Sequence, residues 1–480
     1  MRLPIRWLTA PLVTLVALSS QLASPVVAQV APAAPNSAVE QLKTQAEDAY
    51  KRGDFDKSIQ LADSALRRSP KDHVALYLRG SARVEQGVQQ RDAQMLRDGI
   101  ADAREAISLG GRENVIYYLP YLYGMTNLSI VENRKEHAEI STQQADVALS
   151  NAALKPDEKA KLTYQRGLAR GFLGLTDTSV KDFEDALRLD PQFLAAYTAA
   201  ADTLARADRR DAAKAAFDRA VRAFPENPLV YNNRGMFLQQ TNQPEKAVAD
   251  LTRSLELDPN YFYAYTNRGV TLMLLDNPQA AENDFTASLR LNPEQPMVYG
   301  LRGTARVAAG KFDEAIADHR KALQMVPNHP TAVTDLGFAQ FFAGRYEDAV
   351  RSFEKALELN PNITQPQPWR IAALEELGRK DAAGAEFAAS FDKPAASRDW
   401  IDNLVAFQYD RINSDQLRAA VAPEEPRRTA QNAEAEYFIG RKLAQQGQTA
   451  EANAAFQRVV KTGAKHLSAY RGAKFALAGR

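Results

Sequence analysis

Five histidines, His73, His137, His319, His329 and His466, are the side chains of this sequence best suited to hold a metal or move a proton near neutral pH. They are scattered, and none belongs to an HExxH or comparable ligand spacing, so no metal site is expected. The chain has no cysteine, which excludes thiolate metal centres, disulfides and cysteine nucleophiles together. There is no GxxxxGK[ST] phosphate loop and no GxSxG nucleophile turn. Acidic pairs such as Glu375-Glu376 and Glu424-Glu425 are adjacent in sequence, which on a helix points them in different directions. Neither catalysis nor a cofactor is therefore expected. The chemistry that does recur is an arginine, as Arg79, Arg166, Arg234, Arg268 and Arg302, each just before a glycine. Such a ladder can bind a polyanion. It can equally lie over its own helices and meet acids such as Asp250 or Asp284, and recurrence in every unit is what scaffold residues show.

The elements that carry these arginines are set by a period. Pro191, Pro225, Pro259, Pro293, Pro327 and Pro361 stand 34 residues apart. With the unit Phe262 to Gln295 numbered 1 to 34, position 8 is small (Gly167, Ala201, Gly235, Gly269, Gly303, Gly337). Position 24 is a large knob (Phe183, Phe217, Phe285, Phe353), with Leu251 and His319 in the same place. Small residues opposite a large one predict two closely packed helices. Position 15 uses only Gly, Asn or Asp, the types that tolerate the left-handed turn closing a helix. The proline at position 32 ends the second helix.

The marks extend both ways. A unit spans about 39 to 72, and the next carries seven extra residues around Gln89 to Leu96, about two helical turns, which lengthened helices can absorb in register. Residues 113 to 157 read as a degenerate pair, a further unit starts near 364, and a last one near 433. A terminal helix from about His466 to Ala478 is expected to cover the open end of the stack.

A 34-residue helix-turn-helix unit resembles the tetratricopeptide repeat, which implies an all-α, right-handed α-solenoid whose units bury their apolar faces by stacking. In that family positions 2, 5, 6, 9, 12 and 13 of the first helix line a concave groove. Carried over, the resemblance implies binding residues Asn232, Asn233, Met236, Tyr263, Asn267, Met273, Phe338 and Phe341. Asn233 and Asn267, one repeat apart, match the family's asparagine that hydrogen-bonds a bound peptide backbone and are expected to face solvent. Phe338 and Phe341 would make the groove apolar, unless they pack against neighbouring first helices. The lysines and arginines with which some family members clamp a terminal carboxylate are missing here.

The first 28 residues read as a secretory signal peptide, with Arg2 and Arg6 before the apolar Leu8 to Leu18 and a Val26-Val27-Ala28 cleavage site. Pro25 stands where a lipobox cysteine would follow Leu22-Ala23-Ser24. Cleavage would leave 58 basic and 59 acidic side chains, a balance that argues against nucleic acid as a partner.

Near the C-terminus, Trp400-Ile401-Asp402-Asn403-Leu404-Val405-Ala406-Phe407, then Ile412 and Leu417, precede Glu436-Tyr437-Phe438-Ile439-Gly440 and Tyr470-Arg471-Gly472-Ala473. This order resembles the C-terminal part of the NlpI-type periplasmic repeat proteins. It implies an envelope adaptor that docks a protease or peptidoglycan hydrolase, and adds Trp400 to the binding candidates. The expected layout is a signal peptide (1–28), a linker (29–38), partly degenerate units (39–157), a regular array (158–395), a helical spacer (396–432) and a final unit with its cap (433–480). The expected function is a non-catalytic periplasmic adaptor for envelope proteins or peptides, without an integral membrane segment after cleavage and compatible with a homodimer. The alternative is a structural component of an export or polysaccharide-secretion assembly.

Overall fold

The computed structural model describes residues 37–111 and 114–479; the expected signal peptide, and the linker up to residue 36, lie outside the described residues. The described residues contain 25 α-helices and no strand. They divide into two compact units, residues up to 237 and residues from 238 onward. The first unit contains α1 (Ser37–Lys51), α2 (Phe55–Arg68), α3 (His73–Gln90), α4 (Ala93–Gly110), α5 (Tyr118–Glu132), α6 (Lys135–Leu149), α7 (Pro156–Phe172), α8 (Thr176–Leu189), α9 (Leu194–Arg206) and α10 (Arg210–Ala223). The division falls inside α11 (Pro228–Gln240). The second unit continues with α12 (Pro244–Leu257), α13 (Phe262–Leu274), α14 (Pro278–Leu291), α15 (Pro296–Ala308), α16 (Phe312–Met325), α17 (Pro330–Phe342) and α18 (Tyr346–Leu359). It closes with α19 (Pro366–Glu376), α20 (Gly384–Phe391), α21 (Trp400–Gln408), α22 (Ser414–Ala419), α23 (Arg427–Gln445), α24 (Thr449–Lys461) and α25 (Ser468–Leu477). No described helix is long and apolar enough to cross a membrane.

Each unit is a succession of hairpins, and the repeated residues make them so. Asp208, Asn242 and Asp276 take φ of 57°, 61° and 61°, so the turn position does require a left-handed residue. The chain then reverses and the following N–H bonds back to the carbonyl five residues earlier, as Asn277 N to Leu272 O (2.9 Å) and Arg345 N to Gln340 O (2.9 Å). At the other end of the hairpin, Asp190, Asp258, Asn292 and Asn360 each accept the N–H two residues on, at 2.9 to 3.1 Å, which turns the chain beside the proline.

Inside the hairpins the knobs meet the small residues as expected. A Cβ on Gly269 would lie 2.7 Å from the Phe285 ring, and one on Gly337 would lie 2.6 Å from Phe353. His319 fills the same place against Gly303; it is 1% exposed, and burial pushes its pKa down to about 4. It is a core residue.

The arginine ladder binds acids of its own and of the preceding hairpins: Arg79 and Arg166 reach back to Asp63 and Asp146, and Arg234 to Asp218, at 2.6 to 2.9 Å. Arg166, Arg268 and Arg302 reach Asp182, Asp284 and Asp318, sixteen residues on, with paired contacts of 2.6 to 3.2 Å. Such forked, partly buried contacts are the strong kind of ion pair, and they join the first helix to the second. Arg79 makes the same fork to Asp102 at 2.6 and 2.8 Å, but 23 residues on. The seven-residue insertion is shared between two 18-residue helices, α3 and α4, and the pair survives it.

Candidate protein-binding groove

In the second unit the first helices α13, α15, α17 and α19 carry the residues expected to line a groove. Phe338 and Phe341 are 6% and 5% exposed. Trp369 of α19 meets both rings edge-on, at 5.2 and 5.4 Å, and its other face stacks on Tyr437 of α23 at 5.1 Å. The Arg441 guanidinium lies 5.4 Å from the Phe341 ring centre and pairs with Glu376 at 2.7 Å. The aromatic face of α17 is therefore covered by the chain's own later helices. This corrects the expectation of an open apolar groove at Phe338 and Phe341: they pack on a neighbouring first helix, with α23 beyond it.

The covering continues with α25. Lys465, in the turn before it, donates to the Leu274 carbonyl at 3.2 Å, where α13 ends. Lys474 pairs with Asp276 at 2.9 Å, and Phe475 sets its ring edge-on to Phe312 and Phe342, both at 5.3 Å. Arg471 lies near Asp335 of α17; burial raises the Asp335 carboxyl to about 6 against the pull of that guanidinium. The same burial lowers the Arg471 pKa. A cavity of about 260 Å³ remains between α25 and the ends of α13 and α15, lined among others by Met273, Ala308, Tyr470 and Lys474. The terminal helix thus does more than cover an open end. Its other face does so, with Ala469 and Ala473 buried and Gly472 set where a Cβ would lie 2.5 Å from the Tyr437 ring.

The asparagines are also placed otherwise than expected. Asn233 and Asn267 are 3% and 5% exposed, not solvent-facing. Successive first helices stack directly, as α13 on α15 and α15 on α17, and a side chain at this position falls in the seam; Gln165, at the same place on α7, is buried too. The Asn233 Oδ1 accepts a 3.2 Å bond from Asn232, which is itself buried and lies against Met236 Sδ. Met236 and Met273 are half-buried. Tyr263, also half-buried, packs on the Phe262 ring at 4.0 Å. Trp400 sits among the helices of the C-terminal core and donates to Glu434 at 2.6 Å, whose carboxyl burial raises to about 7. Asp335, Trp369, Arg471, Lys474 and Phe475 were not among the expected site residues. One signal for them existed in the sequence: Arg471, Lys474 and Phe475 put charge and a ring on an edge of α25 that a simple end cap does not need.

The first unit presents a different face. Tyr50 on α1 donates to Glu85 on α3 at 3.4 Å, and Tyr123 on α5 and Tyr164 on α7 are buried, at 6% and 1% exposed. Glu85 is raised to about 7 and Asp202 on α9 to about 6, each chiefly by burial. Here tyrosines and carboxyls of the first helices meet one another.

Two family models, each described as tetratricopeptide repeat, match the chain: one over residues 306–374, the other over 43–106, 164–228, 198–262 and 266–330. No curated protein matches it. Among solved structures, pilF of Pseudomonas aeruginosa is 22% identical, with a TM-score of 0.40, over 45% of this chain and 98% of that one. PilW, described as a type IV pilus biogenesis factor, is 21% identical at a TM-score of 0.39, over 43% and 96%. YrrB, described as having an unusual peptide-binding site, is 18% identical at 0.35, over 39% and 96%. The matched family segments together span more than half of the sequence and coincide with the hairpins that the turn, knob and arginine residues build, so the chain belongs to the tetratricopeptide repeat family.

Proposed function

We infer that this protein is a non-catalytic adaptor that holds proteins or peptides of the bacterial cell envelope on a preformed helical scaffold. The observation that carries this reading is how the recurrent polar groups are used: the arginines that recur along the array are engaged by acids of the same or the preceding hairpin. The chemistry-bearing residues thus build a rigid surface, and rigid scaffolds lose little ordering entropy on binding. The envelope location rests on residues 1–28, with their basic start, apolar stretch and small-residue cleavage site, and on the resemblance of the last 120 or so residues to envelope repeat proteins. A protease or peptidoglycan hydrolase is the partner that the resemblance supports.

Cell fractionation with N-terminal sequencing tests the location, with mature protein beginning at Gln29 as the expected result. Finding Met1 retained on protein embedded in membrane would overturn it. Crosslinking in intact cells followed by copurification tests the adaptor role. Recovery of a defined envelope protein in stoichiometric amount is expected, and recovery of none would count against an adaptor.

A further inference from the structure

We propose that the face of α13, α15 and α17 in the second unit is a docking site for an amphipathic helix with a basic and aromatic edge, supplied by a partner protein, and that the chain's own α25 is its resident, displaceable occupant. The proposal rests on the adaptor reading and names the chemistry of what is held.

Three observations carry it. The first is that α25 has two faces with two tasks. Ala469, Gly472 and Ala473 are buried in the C-terminal core, which is all that an end cap requires. Arg471, Lys474 and Phe475 stand at i, i+3 and i+4, hence on one edge of the helix. That edge makes contacts reaching back as far as Asp276, 198 residues earlier. The second is charge complementarity. Asp276 and Asp335 belong to the array, and Lys474 and Arg471 to the helix laid on it.

The third is incomplete fit. A half-open cleft of about 260 Å³ is left between α25 and the ends of α13 and α15, with Met273 and Ala308 in its lining. The Arg471 Nε is buried there without a hydrogen-bond partner. A partner helix with a larger side chain over Met273 and Ala308 would fill that cleft and gain apolar burial that α25 does not make.

The test uses the full chain and, as probe, a labelled synthetic peptide of its own residues 464–480. Wild-type protein is expected to bind the peptide weakly, because the tethered copy competes at high effective concentration. Lys474→Glu/Phe475→Ala in the full chain loosens the resident helix, and at least tenfold tighter peptide binding is expected. Circular dichroism melts monitor whether that variant folds. Asp276→Asn provides a second arm that leaves the C-terminal core untouched and keeps a residue suited to the left-handed turn. It is expected to speed hydrogen exchange in residues 468–477 severalfold and to weaken the peptide in the double-variant background.

Equal peptide affinity in wild type and the folded double variant would overturn the proposal. So would exchange in 468–477 that occurs only with unfolding of the whole second unit, since the helix would then be a structural cap. A concentration-dependent dimer formed by exchanging α25 would assign the site to a second copy and overturn the partner-helix assignment. A partner recovered by crosslinking alongside any of these results would leave the adaptor reading standing and remove this inference alone.

Discussion

The two units are built from the same hairpin and differ in what meets their first helices. From residue 238 onward, Trp369, Tyr437, Arg471 and Phe475 cover the faces of α13 to α17, and most of these side chains come from helices that return from the far end of the sequence. In the first unit, Tyr50, Glu85, Tyr123, Tyr164 and Asp202 belong to the first helices themselves and meet along α1 to α9. The difference teaches that the repeat specifies the hairpin and leaves open what its inner face meets. Positions 8, 15 and 24 are held to a narrow choice of residues because each is read within one hairpin, whereas position 7, arginine in most units, is Ala200 and Leu336 in two of them. The face that could carry function is written in residues that differ from unit to unit.

The largest expected effect tests the shared part. Phe353→Ala in the second unit and Phe183→Ala in the first each remove a ring packed against a glycine, leaving a cavity between two helices. Each should destabilise its own unit by about 3 to 5 kcal/mol. Hydrogen exchange resolved by helix, under increasing urea, measures both. A change below about 1 kcal/mol at either site would mean that the two units do not share a construction.

An intermediate effect should separate the units. Glu85, raised to about 7, and Asp202, raised to about 6, keep their protons in the folded first unit at pH values where the unfolded chain has released them. The folded state then binds more protons, so stability falls as pH rises from about 4 to about 7, by on the order of 2 to 3 kcal/mol for Glu85. In the second unit Asp335 and Glu434 act in the same direction, while His319, lowered to about 4, costs stability as pH falls below about 6.5. Both units should therefore lose protection on going from pH 5 to pH 8, the second less steeply because His319 offsets one of its two carboxyls. Glu85→Gln should flatten most of the first profile. If it leaves the slope unchanged, buried carboxyls are not what sets that profile.

The smallest effect checks the ladder. Arg79→Lys and Arg302→Lys each keep the charge but lose the fork to Asp102 or Asp318. Each should cost about 1 kcal/mol, and equally in the two units. Retention on a heparin column should stay the same. A shift in retention with no loss of stability would make the ladder a polyanion site.

Much of the hairpin was legible in the sequence because its determinants are local and repeated. Gly337 and Phe353 lie within one unit, the turn at Asp276 needs a left-handed residue whatever surrounds it, and Arg302 finds Asp318 by helical spacing alone. The return of α25 was not legible. Lys474 and Asp276 are joined by a contact that occurs once, so no period announces it. Burial of Asn233 and Asn267 was hidden for another reason. Their residue type suits a solvent-facing hydrogen-bonding role, but how closely successive first helices stack depends on many side chains at once, and that spacing covers them.

The fork from Arg79 to Asp102 bears on how such arrays can change size. A pair that holds at sixteen residues and again at twenty-three tolerates growth in steps of about two helical turns, because only such steps bring both ends back to the same side of their helices. Hairpin length is therefore quantised. At about 1.5 Å per residue, the 18-residue α3 runs roughly 7 Å longer than the 13-residue α13. Heptad insertions placed across a hairpin turn are thus a route to raising a ridge on an inner face without unpicking the stack beneath it.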